Sequence, residues 1–78
     1  MTEFEKFMQM IGTSSGIKFI VKIAEGNKEY EEKIIEFIKE NNIDCNHLWE
    51  DSDEGDRAYD DWEKLIMFAL ELIPEKKE

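Results

Sequence analysis

Four acidic residues in the second half of the sequence have the spacing of one face of a helix. They are Asp53, Asp56, Asp60 and Glu63, at intervals of three, four and three residues. Neighbouring side chains at such spacing lie about 5–6 Å apart on a helix, which is close to the separation of successive phosphates on a nucleic-acid strand. Carboxylates arranged in this way can occupy a basic groove that binds DNA or RNA.

These four residues belong to an acidic segment, residues 49–63, which contains eight acids and one base. Trp49 and Tyr59 are interleaved with the acids, and such side chains often anchor protein interfaces. Charge would speed the approach to a basic surface, and the aromatic side chains would slow dissociation. The predicted partner-binding residues are Trp49, Glu50, Asp51, Asp53, Glu54, Asp56, Tyr59, Asp60, Asp61 and Glu63.

The other reactive residue types do not support catalysis. Cys45 and His47 are the only cysteine and histidine, and they lack the third, orienting group that a nucleophilic site needs. They also fall short of the four nitrogen or sulfur ligands that zinc usually takes. We therefore predict a protein that is not an enzyme and that has no cofactor and no metal site.

A calcium loop is an alternative interpretation of the acidic segment. A loop that starts at Glu50 would place Ser52 and Glu54 at ligand positions, Gly55 at the central glycine and Asp61 at the last position. The first position is normally Asp and the last normally Glu, and no helix is predicted to precede the loop. Weak calcium binding therefore stays a minor alternative.

The charge of the whole chain restricts the class of protein. The 78 residues include 20 Asp and Glu against 10 Lys and Arg, a formal net charge of −10. Ordinary nucleic-acid binding and attraction to anionic membranes both need a basic surface, so both are excluded. Hydrophobic residues make up 41% of the chain, enough for a core. We expect one acidic domain over residues 1–78, with a frayed tail at 75–78.

The cysteine count and the apolar runs of the sequence also indicate a cellular compartment. Because Cys45 is the only cysteine, no intrachain disulfide is possible, which favours a reducing cytoplasm. The first residues lack the basic and apolar regions of a signal peptide. No apolar run approaches the roughly 20 residues needed to cross a bilayer. We therefore expect a soluble, cytoplasmic protein.

The hydrophobic spacing predicts an α+β fold, a small single domain with the order α-β-α-(β)-α. Thr2 and Glu5 have the spacing of a capping box at the start of a first helix, which ends at Ile11. Alternating apolar residues over 17–23 predict a strand. Asn27 can cap a second helix that continues to about residue 41.

Residues 44–49 are ambiguous. A strand cannot stand alone, because its backbone groups need partners. We expect 44–49 to form a second strand, parallel to 17–23 through a right-handed crossover. Pairing with a second subunit, or with an antiparallel piece from residues 12–16, stays open.

The last predicted helix runs from about Asp56 to Ile73, is capped by Asp53 or Asp56, and packs on the small sheet. Its second half is apolar nearly all round, which is typical of a helix at the centre of a core or in an interface. The possible oligomer-interface residues are Met67, Phe68, Leu70 and Leu72. An alternative function is therefore an assembly or regulatory module that dimerises, or binds a partner, through this helix.

The acidic run from Asp51 to Glu63, in a very short chain without a catalytic set, resembles small inhibitors from phages and mobile elements. These include anti-CRISPR and anti-restriction proteins that act as nucleic-acid mimics, and bacteriocin immunity proteins and nuclease inhibitors share the profile. The resemblance implies a non-catalytic inhibitor that binds a basic, nucleic-acid-binding enzyme in the cytoplasm of a host cell. It implies no direct contact with nucleic acid.

Overall fold

In the computed structural model, which describes residues 2–72, the chain forms helices joined by two short turns and, between residues 42 and 52, by a longer connection. The helices are α1 (Glu3–Ile11), α2 (Ser15–Ala24), α3 (Lys28–Asn41) and α4 (Asp53–Leu72). No strand occurs in the described range, so the predicted α+β class and its order α-β-α-(β)-α are wrong. The predicted end of the last helix at Ile73 and the predicted frayed tail at 75–78 lie outside the described residues.

The first correction concerns residues 17–23, which were predicted as a strand and lie in α2. A period of two places Ile20 on the same side as Lys18 and Lys22, whereas a helix buries it completely. The Oγ of Ser14 also accepts a hydrogen bond from the Ile17 amide at 3.2 Å and so caps the helix. Helical burial therefore outweighs the β-propensity of the branched residues in this segment.

The second correction concerns residues 44–49, which form turns rather than a strand. The amide of Cys45 donates to the carbonyl of Ile11 at 2.7 Å, and the amide of Leu48 donates to the carbonyl of Cys45 at 3.2 Å. These bonds satisfy the backbone without a neighbouring strand. The parallel pairing with 17–23, and the alternative pairings with 12–16 or a second subunit, are therefore wrong.

The predicted starts of the first two helices are confirmed. Thr2 and Glu5 form the capping box of α1, with N–O distances of 3.0 and 3.1 Å. Asn27 caps α3 by accepting a hydrogen bond from the Tyr30 amide at 3.2 Å.

The long helix begins earlier than predicted, at Asp53. Neither Asp53 nor Asp56 caps it. Instead, the Oγ of Ser52 accepts a hydrogen bond from the Gly55 amide at 3.2 Å, which is the usual action of an N-cap serine.

Helices α3 and α4 run antiparallel. Phe37, near the end of α3, stacks on Phe68 of α4 with ring centroids 4.1 Å apart. Just after α3, the amide of Asp44 donates to the carboxylate of Asp61 at 3.2 Å. As the chain moves forward from Phe37 to Asp44, its neighbour on α4 moves backward from Phe68 to Asp61, which is the antiparallel arrangement.

Helix α2 runs in the same direction as the second half of α4. The bond between Cys45 and Ile11 places the end of α1 beside the turn that follows α3. After three residues, α2 starts at this same end, where Gly16 packs so closely on Trp62 that a Cβ would lie 2.6 Å from the indole nitrogen. From there, α2 extends along α4 towards Leu72.

The core lies between the four helices of residues 2–72. Its fully buried large side chains are Met8, Ile17, Ile20, Ile34 and Leu65. None of the helices in this range combines the length and apolarity needed to cross a bilayer.

Candidate functional site

The four acids with helical spacing lie together on an exposed face of α4. We call Asp53, Asp56, Asp60 and Glu63 the acidic stripe, and each of them is exposed. Because α4 begins at Asp53, the whole stripe belongs to one continuous helix. The buried residues of α4 include Ala58, Leu65 and Ala69, and helical geometry places these on the side opposite the stripe.

No residue of the stripe forms an ion pair in the described range, although Lys64 follows Glu63 directly and lies four residues after Asp60. Within residues 2–72, ion pairs form only between Lys33 and Glu29, at 3.6 Å, and between His47 and Glu50, at 2.8 Å. Arg57 lies in α4 but makes neither contact. The carboxylates of the stripe are therefore available to charges outside the molecule.

Asp61 does not share this face, although it was predicted as a partner-binding residue. It is 8% exposed, and its Oδ2 accepts the hydrogen bond from the Asp44 amide. Its role is to hold the turn after α3 against α4. The sequence signal was its position three residues after Ala58 and four before Leu65, which places it on the buried side of the helix.

Trp49 is the most exposed of the large hydrophobic side chains in the described range, at 84%. The amide of Glu50 donates to the carbonyl of His47 at 3.0 Å, which closes the turn that carries Trp49. Gly55 of α4 packs on this turn, and a Cβ at Gly55 would overlap the carbonyl oxygen of Glu50. The turn is therefore tied to the start of α4, with the indole directed towards solvent.

Three further acids of the predicted set lie around this turn, and one of them, Glu50, already contacts a side chain of the same molecule. Asp51 and Glu54 are exposed, whereas Glu50 contacts the Nδ1 of His47. The hydrogen bond to Glu50, followed by the charge of Glu50, raises the pKa of His47 above 6.5. A partner that uses Glu50 must therefore compete with this imidazole.

Cys45 is not arranged as a nucleophile. Burial, followed by the negative charges of Asp61 and Asp44, raises the pKa of its thiol from 9.0 to about 12. A thiol in this state is protonated at neutral pH, and the thiolate is the reactive form.

Tyr59 lies beside the stripe on the α2 side of the helix and is 52% exposed. Its ring stacks on Trp62, with centroids 5.6 Å apart. Trp62 is half-buried, and its Nε1 donates to the Oγ of Ser14 at 3.0 Å. This contact places Trp62 against the start of α2.

A groove of about 590 Å³ lies between α3 and α4, on the other side of the stripe. Asp60, Glu63 and Met67 are among its lining residues, together with the stacked Phe37 and Phe68. Of the four predicted oligomer-interface residues, Met67 and Leu70 are more than half exposed, at 57% and 51%. Phe68 and Leu72 are half-buried against the core.

The calcium interpretation does not fit this backbone. Every residue of the proposed loop from Asp53 to Asp61 is helical, so these side chains cannot wrap around one ion. Within residues 2–72, no three His, Cys, Asp or Glu side chains come together in a way that could hold a metal.

Comparison of the sequence and fold with known proteins found no matching family, curated protein or solved structure.

Proposed function

We propose that this protein is a non-catalytic inhibitor that places the acidic stripe in a basic groove of a nucleic-acid enzyme. The observation that supports this proposal is a line of four exposed carboxylates on one helix, none of them paired with a cation within residues 2–72. At 1.5 Å per residue, the stripe is about 15 Å long. That length corresponds to a few successive phosphates.

Folding stability alone does not explain the stripe. Acids in the first turn interact favourably with the helix dipole, which covers Asp53 and Asp56. Glu63 lies beyond that turn and three residues from Asp60, where like charges cost a few tenths of a kcal/mol. A binding role accounts for this charge, since a basic partner converts the repulsion into attraction.

Trp49 supplies the second part of the proposed contact. Electrostatic attraction speeds association but is weakened by salt, whereas an indole buried at an interface slows dissociation. The turn that carries Trp49 is held at the start of α4, next to the stripe. The partner would therefore have an apolar pocket beside its basic groove. An anti-CRISPR or anti-restriction protein of phage or mobile-element origin, acting in the host cytoplasm, fits this chemistry.

The proposal can be tested by affinity capture followed by an inhibition assay. The immobilised protein is incubated with bacterial lysates with and without competing duplex DNA, and captured proteins are identified by mass spectrometry. Each captured nucleic-acid enzyme is then assayed with the wild type and with the double variant Asp56→Lys/Asp60→Lys. The matched control is Glu32→Lys/Glu36→Lys, which changes two exposed acids of α3 by the same charge and at the same spacing.

We expect DNA to compete with capture. We also expect the wild type and the α3 control to inhibit the enzyme, while the α4 variant does not. Equal inhibition by the two double variants would show that net charge, and not the stripe, is responsible. Failure to recover any nucleic-acid enzyme from hosts that carry restriction and CRISPR systems would also contradict the proposal.

The alternative function, an assembly module, has narrower support. Leu70 and Met67 are exposed on α4, but the ring of Phe68 is already stacked on Phe37 within the chain. The predicted set of four residues therefore does not form one surface.

A further inference from the structure

The groove between α3 and α4 adds an apolar surface to one side of the acidic stripe. The stacked rings of Phe37 and Phe68 line it together with Met67. Both rings are half-buried, and Met67 is 57% exposed. Part of this aromatic and thioether surface is therefore open to a ligand from outside the chain.

Carboxylates outnumber cations along the α4 side of the groove. Asp60 and Glu63 of the stripe line it together with Glu71, and all three are exposed. Lys64 is the one cation among its lining residues in the described range. None of these four side chains forms an ion pair within residues 2–72. The apolar surface therefore lies beside a net negative charge.

The neighbouring charges of α3 do not reverse this sign. Glu40 lies three residues after Phe37 and Lys33 four residues before it, so both flank the ring on its side of the helix. Lys33 is paired with Glu29 at 3.6 Å. The groove as a whole therefore favours a cationic ligand.

The combination of apolar surface and carboxylates restricts the chemistry of that ligand further. An apolar side chain would cover the rings, but it would take water from the carboxylates without pairing them. A lysine ammonium would pair with a carboxylate, but it is compact and strongly hydrated. An arginine guanidinium satisfies both requirements, because its plane stacks on aromatic rings and its edge donates two hydrogen bonds to one carboxylate.

We infer that an arginine side chain of the basic partner binds in this groove, with its guanidinium on Phe68 and its edge paired with Glu71. Glu71 lies three residues after Phe68 and four after Met67, so it neighbours both on the helix surface. Lys64 lies four residues before Phe68 and competes with the guanidinium for the same carboxylates. It also lies four residues after Asp60, which is the spacing of a helical ion pair.

This inference rests on the proposed function, because it names the group of the partner that the groove would bind. Proteins that bind nucleic acid use arginine to contact its phosphates. Asp60 and Glu63 belong both to the stripe and to the groove. A basic surface that contacts the stripe would therefore reach the groove as well.

The first test uses the purified protein and two peptides of equal charge, acetylated tetra-arginine amide and acetylated tetra-lysine amide. Each peptide is titrated into the protein and followed by NMR. We expect tetra-arginine to shift the side-chain resonances of Phe37, Met67 and Phe68, and to bind about threefold more tightly than tetra-lysine. Equal affinities for the two peptides overturn the inference, and so do shifts that leave these three side chains unaffected.

Two substitutions in the groove should change the affinity for tetra-arginine in opposite directions. Glu71→Gln removes the pairing carboxylate and should weaken binding about threefold, whereas Lys64→Gln removes the competing cation and should strengthen it. The matched control is Glu32→Gln, which removes one exposed acid of α3 that does not line the groove. Circular dichroism verifies that each variant is folded. Equal weakening by Glu71→Gln and Glu32→Gln overturns the inference, as does weaker binding by Lys64→Gln.

The inference and the proposed function can fail separately. Glu71 lies outside the acidic stripe, so the peptide titrations do not depend on recovery of an enzyme from a lysate. If Glu71→Gln inhibits a captured enzyme as strongly as the wild type does, the inhibitor function stands and the arginine site is overturned. If no nucleic-acid enzyme is captured, selective binding of tetra-arginine would still support the site in the groove.

Discussion

The indole nitrogen of Trp62 donates a hydrogen bond to the hydroxyl of Ser14, 48 residues away, at a distance of 3.0 Å. The same hydroxyl oxygen accepts from the amide of Ile17 and caps α2. One buried side chain therefore starts a helix and joins it to α4. The absence of a Cβ at Gly16 allows the indole to approach this closely.

We predict that Ser14→Ala is more harmful than Trp62→Phe. Loss of the serine removes an N-cap and leaves the indole N–H without its partner, at a cost of about 2 kcal/mol. Trp62→Phe retains the cap and should cost about 1 kcal/mol. Urea unfolding of both variants and of the double variant measures the coupling. If the losses of unfolding free energy in the two single variants add up to the loss in the double variant, the hydrogen bond between Trp62 and Ser14 contributes nothing to stability.

We predict that Gly55→Ala destabilises the protein, although alanine is the better helix former. Helix propensity alone would give a gain of about 1 kcal/mol. The new methyl group would overlap the carbonyl of Glu50, and overpacking of this kind costs up to about 3 kcal/mol. Urea unfolding gives the sign directly. An increase in the free energy of unfolding would mean that the turn moves away freely.

We predict opposite effects from neutralising two exposed glutamates. Glu63→Gln removes repulsion from Asp60 and should raise the free energy of unfolding by about 0.3 kcal/mol, whereas Glu29→Gln breaks an ion pair with Lys33 and should lower it by about the same amount. Thermal unfolding at low and high salt is the measurement, since salt should abolish both effects. A loss of stability in Glu63→Gln would show that the stripe contributes to folding.

We predict that the advantage of the wild type over Cys45→Ala decreases above pH 9. The folded thiol has a pKa of about 12, against an ordinary value of 9.0. The unfolded chain therefore releases this proton first, so the stability from burying the neutral thiol is complete below pH 9 and is lost as pH rises towards 12. Urea unfolding of both proteins across this range tests the sign. A constant difference would mean that the thiol ionises normally in the folded state.

The sequence predicts three of the four helices but not α2. The capping residues Thr2 and Asn27 indicate the starts of α1 and α3, and the apolar stripe of α4 has only the helical period. These three helix predictions are confirmed. Residues 17–23 satisfy both the strand and the helix period at most positions. Ile20 is the residue that separates the two, because only the helix buries it without burying Lys18 or Lys22.

The acidic stripe could be predicted because it depends only on spacing along one helix. The inward direction of Asp61 was less evident, because a buried carboxylate is uncommon and its partner is a backbone amide 17 residues away. The half-exposed position of Phe19 was not predicted, because the strand period placed it on one apolar face with Ile17, Val21 and Ile23.

The different surroundings of the two tryptophans give the protein two separate fluorescent reporters. Trp49 is almost fully hydrated, so its emission should be red-shifted and readily quenched by acrylamide. Trp62 is half-buried and hydrogen-bonded, so its emission should lie further to the blue. Trp49→Phe or Trp62→Phe leaves only the emission of the other tryptophan. Binding of a partner at the acidic stripe can then be followed separately from unfolding.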